Sequence, residues 1–178
     1  RSLAGQSADL GVKFFVLTGG EPMTYHHNKK DYFDVVDAIN KEYFLRGLES
    51  PKILTFTDVA LITPDMAKNL AERKIALCLK RDTLDHQVQD GILNVDPKHA
   101  TQKMEIGYDN LFAAGYGKNP SLAASVNTVL RKGKFNTHSG SVDLHVWVRE
   151  HGIEHSIVPI HYCGDAETED QKVGLNAL

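Results

Sequence analysis

Phe14-Phe15-Val16-Leu17-Thr18-Gly19-Gly20-Glu21-Pro22 decides the reading of this chain. A short apolar run, too short for a helix, predicts a buried strand over residues 13–17. It ends abruptly in two residues without side chains, a carboxylate and a proline. Glycines at such an exit let the backbone take φ > 0 or let a ligand approach the main chain. The proline stops the strand. Alone, the turn could be an ordinary strand-to-loop connection. It gains meaning because the same event recurs downstream.

Working outward, helix and strand patterns alternate. Phe33, Val36, Ile39 and Tyr43 share one face of a helix over residues 31–44. Residues 52–56 form the next strand. A helix over 64–73 follows, with Thr63 as N-cap, Pro64 at the first position and Asp65 in the first turn. Residues 75–79 are a third strand. A long excursion, 82–101, precedes a helix over 103–114 that Gly115 stops. Residues 122–126, extended towards 130, make a fourth strand. A helix over 142–151 is capped by Ser141 and ended by Gly152, and 157–160 is the fifth strand. Strands reached through helices imply a parallel sheet with right-handed crossovers. One core over residues 1–165 and a polar tail over 166–178 are expected, with no repeat and no low-complexity segment.

The sheet could curl as a barrel or lie open. Just past the strand ends stand Thr18-Gly19-Gly20-Glu21, Thr57-Asp58, Lys80-Arg81-Asp82-Thr83, Asn127-Thr128 and His161. Barrels gather their working groups on the C-terminal rim of the strands, whereas open sheets concentrate them at one switch point. Loops are polar in any case. Asn127 is harder to dismiss, because Val126 and Val129 flank it within a strand. A buried amide needs a partner, and a ligand can be that partner. A rim site is favoured.

Composition excludes several classes. The chain has 178 residues, 42% hydrophobic and 24% charged, which suits one sizeable core. Net charge is −3, with no basic footprint for a nucleic acid. No apolar run is long enough to cross a bilayer, and no leader pattern is visible. Two cysteines, Cys78 and Cys163, suit a reducing cytoplasm better than a disulfide scaffold. Cys78, between Leu77 and Leu79, reads as a small core residue. The nine histidines carry no HxH or HExxH spacing, so no zinc site is expected. His26-His27 reads as a surface loop, and Trp147 as packing of the helical shell. Lys80 could instead form a Schiff base, with Arg81 helping to depress its pKa.

The stretch through Gly-Gly-Glu-Pro resembles the second-strand signature of the radical S-adenosylmethionine enzymes. The resemblance continues in order: Leu79-Lys80-Arg81-Asp82-Thr83-Leu84-Asp85 is similar to the fourth family strand and its loop. Residues 109–115 look like the following helix, and Ala124-Ser125-Val126-Asn127-Thr128-Val129-Leu130 like the fifth strand. His151-Gly152-Ile153 before 157–160 looks like the approach to the sixth. The resemblance implies an α/β fold, a parallel (β/α) partial TIM-type barrel with about five of six strands present. It implies S-adenosylmethionine as cofactor, cleaved reductively at a [4Fe-4S] cluster to a 5′-deoxyadenosyl radical. Carried over by position, Gly19, Gly20 and Glu21 would receive the methionyl amino group. Lys80 could pair with the carboxylate, and Asp82 or Thr83 would meet the ribose hydroxyls or the carboxylate. Asn127 would hydrogen-bond the cofactor, and the backbone at Ile160, His161 and Tyr162 would line the adenine.

One departure is decisive. The family holds its cluster with CxxxCxxC, and this chain has no such motif. Arg1 looks like the inside of a first helix, so the first strand and the cysteine loop are expected upstream, with the cluster ligands in a longer parent. A reductant such as a flavodoxin or ferredoxin would be a partner, and a peptide is one of the substrate classes left open. The competing readings are a barrel lyase using Lys80 and a cluster-free domain kept for protein–protein interaction.

Overall fold

The structure, a computed structural model, describes residues 2–93, 100–130 and 138–159. Five strands make one parallel sheet. They are β1 (Phe14–Leu17), β4 (Lys52–Thr57), β5 (Ala76–Lys80), β6 (Ala124–Leu130) and β7 (Glu154–Pro159). Their order across the sheet is β1-β4-β5-β6-β7, the order of the chain. That monotonic order answers the question the sequence left open. Right-handed crossovers that always step in one direction place every connecting helix on the same face. The sheet is therefore wound like a barrel wall, without a switch point. It does not close, since β1 and β7 do not pair with each other.

The helices are α1 (Leu3–Asp9), α2 (Tyr32–Phe44), α3 (Pro64–Glu72), α4 (His86–Leu93), α5 (Ala100–Ala113) and α6 (His138–Glu150). Local chemistry fixes their starts. Asp31 caps α2 through a capping box with Asp34. The Thr63 hydroxyl accepts the Met66 N–H at 3.2 Å, ahead of Pro64. Three expectations shift. The excursion over 82–101 contains α4, announced by the Asp85 carboxylate accepting the Val88 N–H at 3.1 Å. The last helix starts at His138, so Ser141 lies inside it rather than capping it. His26–His27 is a short strand, β2, paired antiparallel with β3 (Lys30–Asp31).

Strand periodicity divides the sheet into two faces. Ile53, Thr55, Leu77, Leu79, Val126 and Thr128 point to the helices, and all are 3% exposed or less. Val36, Tyr43, Leu70, Met104, Tyr108, Leu111 and Leu144 meet them from the helical layer. The register puts Phe56 opposite Cys78 and Cys78 opposite Ser125 on the other face, with Lys80 opposite Asn127. No described helix covers that second face, and Phe56 is 38% exposed on it. α5 lies tight against the turn Val59–Leu61, because Gly107 leaves no side chain there. A Cβ at Gly107 would stand 2.0 Å from the Val59 carbonyl oxygen.

Candidate functional site

The bare face opens into a cleft of about 450 Å³ at the C-terminal end of the strands. Gly20 and Glu21 after β1, Phe56 and Thr57 on β4 with Asp58 just past it, Cys78 to Lys80 on β5, and Asn127 and Val129 on β6 line it. Four neighbouring strand ends thus contribute, as the barrel rim requires. A second cleft, of about 590 Å³, lies along β1 on the far side of the same glycine turn, against Tyr25, Tyr32 and Val35.

The turn needs its glycines for conformation. Gly19 has φ 98° and Gly20 φ 54°, while nothing lies within 4 Å of a Cβ at either position. A side chain there would meet backbone strain in open space. Glu21 is fully engaged. Its Oε1 accepts the Met23 N–H at 3.0 Å and the Thr57 hydroxyl at 2.7 Å, and its Oε2 accepts the Asp58 N–H at 2.6 Å. The carboxylate thereby ties the exit of β1 to the exit of β4. The sequence singled out Glu21 as a ligand contact; what the structure shows is a carboxylate that braces the rim.

Lys80 and Asn127 are cross-strand partners. Lys80 has no ion-pair partner among the described residues. The Asn127 Oδ1 is buried without a hydrogen-bond partner among them. A buried carbonyl oxygen left without a donor is costly, and native proteins rarely tolerate it unless something else supplies the donor. Cys78, expected as a core residue, is 7% exposed and has its place on the cleft wall.

Asp82 and Thr83 are not brought into this cleft. They are 2% and 5% exposed, buried behind the rim. Asp82 Oδ1 accepts the Val129 N–H at 2.9 Å, and the Asp82 and Thr83 N–H groups both donate to Gln89 Oε1, at 2.9 and 3.1 Å. Arg81 also leaves Lys80's side. Its guanidinium lies over the Trp147 and Tyr108 rings, 4.8 and 5.5 Å from their centroids, in the helical layer. Burial pulls its pKa down, opposed by Tyr108 and by Glu105 at 3.6 Å. It is not the neighbouring cation that a Schiff-base lysine was expected to use. Trp147 packs in the shell as expected, edge-on to Tyr108. Ile160, His161, Tyr162 and Cys163 lie outside the described residues.

Gln89 went unnoticed in the sequence, and it is wholly buried. Nothing in the residue type announces a buried glutamine. Asp82 Oδ2, Gln89 Nε2 and the Tyr108 hydroxyl share with Asn127 Oδ1 the lack of a partner among the described residues. No described group of three His, Cys, Asp or Glu side chains is arranged to hold a metal ion. No described helix is long and apolar enough to cross a membrane.

No protein-family model and no curated protein matches the sequence. Solved structures do resemble the fold. Native anSMEcpe with bound AdoMet superposes with a TM-score of 0.71 at 15% identity, over 95% of this chain and 44% of that one. The same protein with bound AdoMet and the Cp18Cys peptide gives 0.69 at 15%, over 95% and 45%. Coproporphyrinogen III oxidase (HemN) from Escherichia coli, a radical SAM enzyme, gives 0.58 at 12%, over 96% and 39%. The chain spans less than half the length of these proteins. At such identities the likeness is one of fold: a parallel sheet wound as part of a barrel, with its strand ends gathered at one rim.

Proposed function

We propose that this chain is the S-adenosylmethionine-binding core of a radical S-adenosylmethionine enzyme. The observation that carries the reading is the pair Lys80 and Asn127, a cation with no ion-pair partner and an amide oxygen with no hydrogen-bond partner among the described residues, lining one cleft with Gly20 of the glycine turn. The residues fit the cofactor in kind. Its methionyl group presents an ammonium and a carboxylate, and its adenosyl group presents donors. Exposed carbonyls of a glycine turn suit the ammonium, Lys80 suits the carboxylate, and the Asn127 Oδ1 requires a donor. When bound and given an external electron, S-adenosylmethionine supplies a carbon-centred radical able to take hydrogen from a substrate. The chain's own residues bind and orient it. Phe56 and Val129 supply apolar wall, and Glu21 keeps the rim strands together.

The described residues do not fit a [4Fe-4S] cluster. Thiolates are its ligands, and Cys78 is the sole described cysteine. The cluster's ligands, the reductant and the substrate would come from elsewhere, and a peptide substrate is compatible with the likeness to a protein solved with one.

Calorimetric titration with S-adenosylmethionine tests the reading. Lys80→Ala should weaken binding about tenfold or more and Asn127→Ala about fivefold, since a charge-assisted hydrogen bond is worth about 1.5–3 kcal/mol and a neutral one about 1 kcal/mol. Unchanged affinity in both variants would remove the cofactor from this cleft. The Lys80 amine, without an ion-pair partner among the described residues, also favours a second reading, a lyase acting through a Schiff base. Borohydride trapping of a carbonyl substrate on Lys80 would select it.

A further inference from the structure

We propose that Asp82 is a positioning residue, which fixes the last rung of the β5–β6 ladder and so sets Lys80 and Asn127 at their working separation. Its effect on ligand binding rests on the cofactor reading above.

The β5–β6 register runs from Leu77↔Ala124 to Lys80↔Asn127 and stops, although β6 continues to Leu130. The next main-chain bond, from Arg81 N–H to the Asn127 carbonyl, is long at 3.4 Å. Beyond it, side chains replace the missing backbone partners. The Thr128 hydroxyl donates to the Arg81 carbonyl at 2.7 Å, and the Asp82 carboxylate accepts the Val129 N–H at 2.9 Å. The ladder is thus carried two residues past the strand end by a hydroxyl and a carboxylate. The residues that need this support are the last regular pair, Lys80 and Asn127, which face the cleft.

Asp82 is itself clamped from behind. Its N–H and that of Thr83 converge on the Gln89 Oε1 of α4, a side chain with no solvent exposure. Asp82 is therefore held at its backbone by a helix and at its side chain by β6. An apolar residue would fill this buried space without an Oδ2 that has no partner among the described residues. A buried, half-satisfied carboxylate is a costly way to fill volume but an effective way to capture one amide at a fixed distance. Asp82 does not line the cleft, so a ligand there would feel it only through the strand ends.

The test uses Asp82→Ala and Asp82→Asn in the whole chain. Asparagine keeps an oxygen acceptor for the Val129 amide; alanine does not. Hydrogen exchange at the Val129 amide should speed up about tenfold or more in Asp82→Ala and stay within about twofold of wild type in Asp82→Asn. S-adenosylmethionine affinity, measured by calorimetry on folded protein, should follow the same order: about tenfold loss, then rescue. Unchanged Val129 exchange in Asp82→Ala overturns the ladder. Accelerated exchange with unchanged affinity leaves Asp82 merely structural and overturns the positioning role. Equal loss of affinity in both variants also overturns it, because charge would then matter and geometry would not. Should Asp82→Ala fail to fold, Gln89→Met, which frees the Asp82 backbone at similar volume, should speed Val129 exchange and weaken S-adenosylmethionine binding; no change in either overturns the proposal. If the wild type binds no S-adenosylmethionine, the cofactor reading falls, and Val129 exchange alone decides whether Asp82 extends the ladder.

Discussion

The two faces of the sheet are built from the same strands and could hardly differ more. One carries Thr55, Leu77, Leu79 and Val126 under a layer of helices and excludes water. The other carries Phe56, Cys78, Lys80 and Asn127 with no described helix over them. Parallel sheets normally bury both faces. A half-clad parallel sheet is stable because its strand order winds it as a wall, with the bare side turned inward. The buried packing is concentrated on the clad face, and the cleft opens on the bare one. Substitutions should therefore separate by face.

The largest effect should come from the clad side. In Gly107→Ala the new methyl would collide with the Val59 carbonyl, which backbone cannot avoid cheaply. Asn110 holds α5 to the same turn through a 2.7 Å bond to the Ile62 carbonyl, so the helix cannot simply slide away. Urea unfolding should show a loss of about 3 kcal/mol, in the range of overpacked cores. Lys80→Ala, on the bare face, should change stability by no more than about 0.5 kcal/mol. Comparable losses in both variants would break the division between faces.

Short apolar runs made β4, β5 and β6 legible in the sequence, and Asn127 stood out inside the last of them; the division into two faces did not follow from those runs. Reading by strand pattern fails where the chain leaves the sheet. Lys80 and Asp82 are two apart and by alternation share a face, yet the backbone turns after Lys80 and swings the Asp82 carboxylate onto the main chain of β6. Gly19 and Gly20 were readable because positive φ selects for glycine. Helix α4 left one signal, Asp85 three residues before Val88, hidden within a polar stretch. Gln89 left none, since its role is set by burial that only the assembled helices create.

A smaller effect lies at the seam between α6 and β7. Thr128 has one hydroxyl proton and gives it to the Arg81 carbonyl. The His155 Nε2, 2.9 Å from that hydroxyl oxygen, must therefore be the donor, leaving Nδ1 to accept from His145 at 3.1 Å. Burial first, and then His145, lowers the His155 pKa below its ordinary 6.5. The unfolded chain then takes up the proton at higher pH than the folded one does. Stability linked to His155 is fully present above about pH 6.5 and declines as pH falls towards the depressed folded value. In His155→Gln, urea midpoints measured between pH 8 and pH 5 should fall less steeply with acid than in wild type, about half a midpoint unit or less. An identical slope in both proteins would take His155 out of the seam's electrostatics.

The smallest effect on stability, though not on behaviour, belongs to β1. It pairs with β4 on one side, and among the described residues no strand pairs with its other edge. Phe14 and Val16 are 49% and 46% exposed there, on the bare face. An apolar, β-favouring edge with free main-chain donors and acceptors is a template for pairing with another chain. Val16→Lys places a charge on that edge without touching the clad core. Its stability should stay within about 0.5 kcal/mol of wild type, because a half-exposed edge side chain contributes little packing. Its association should change clearly: light scattering should rise with concentration in the wild type and stay flat in Val16→Lys. A wild-type chain that remains monomeric as concentration rises would mean that the exposed edge is protected in solution. The bare face would then be less open than the arrangement of strands implies, and the cleft beside it would have to be redrawn.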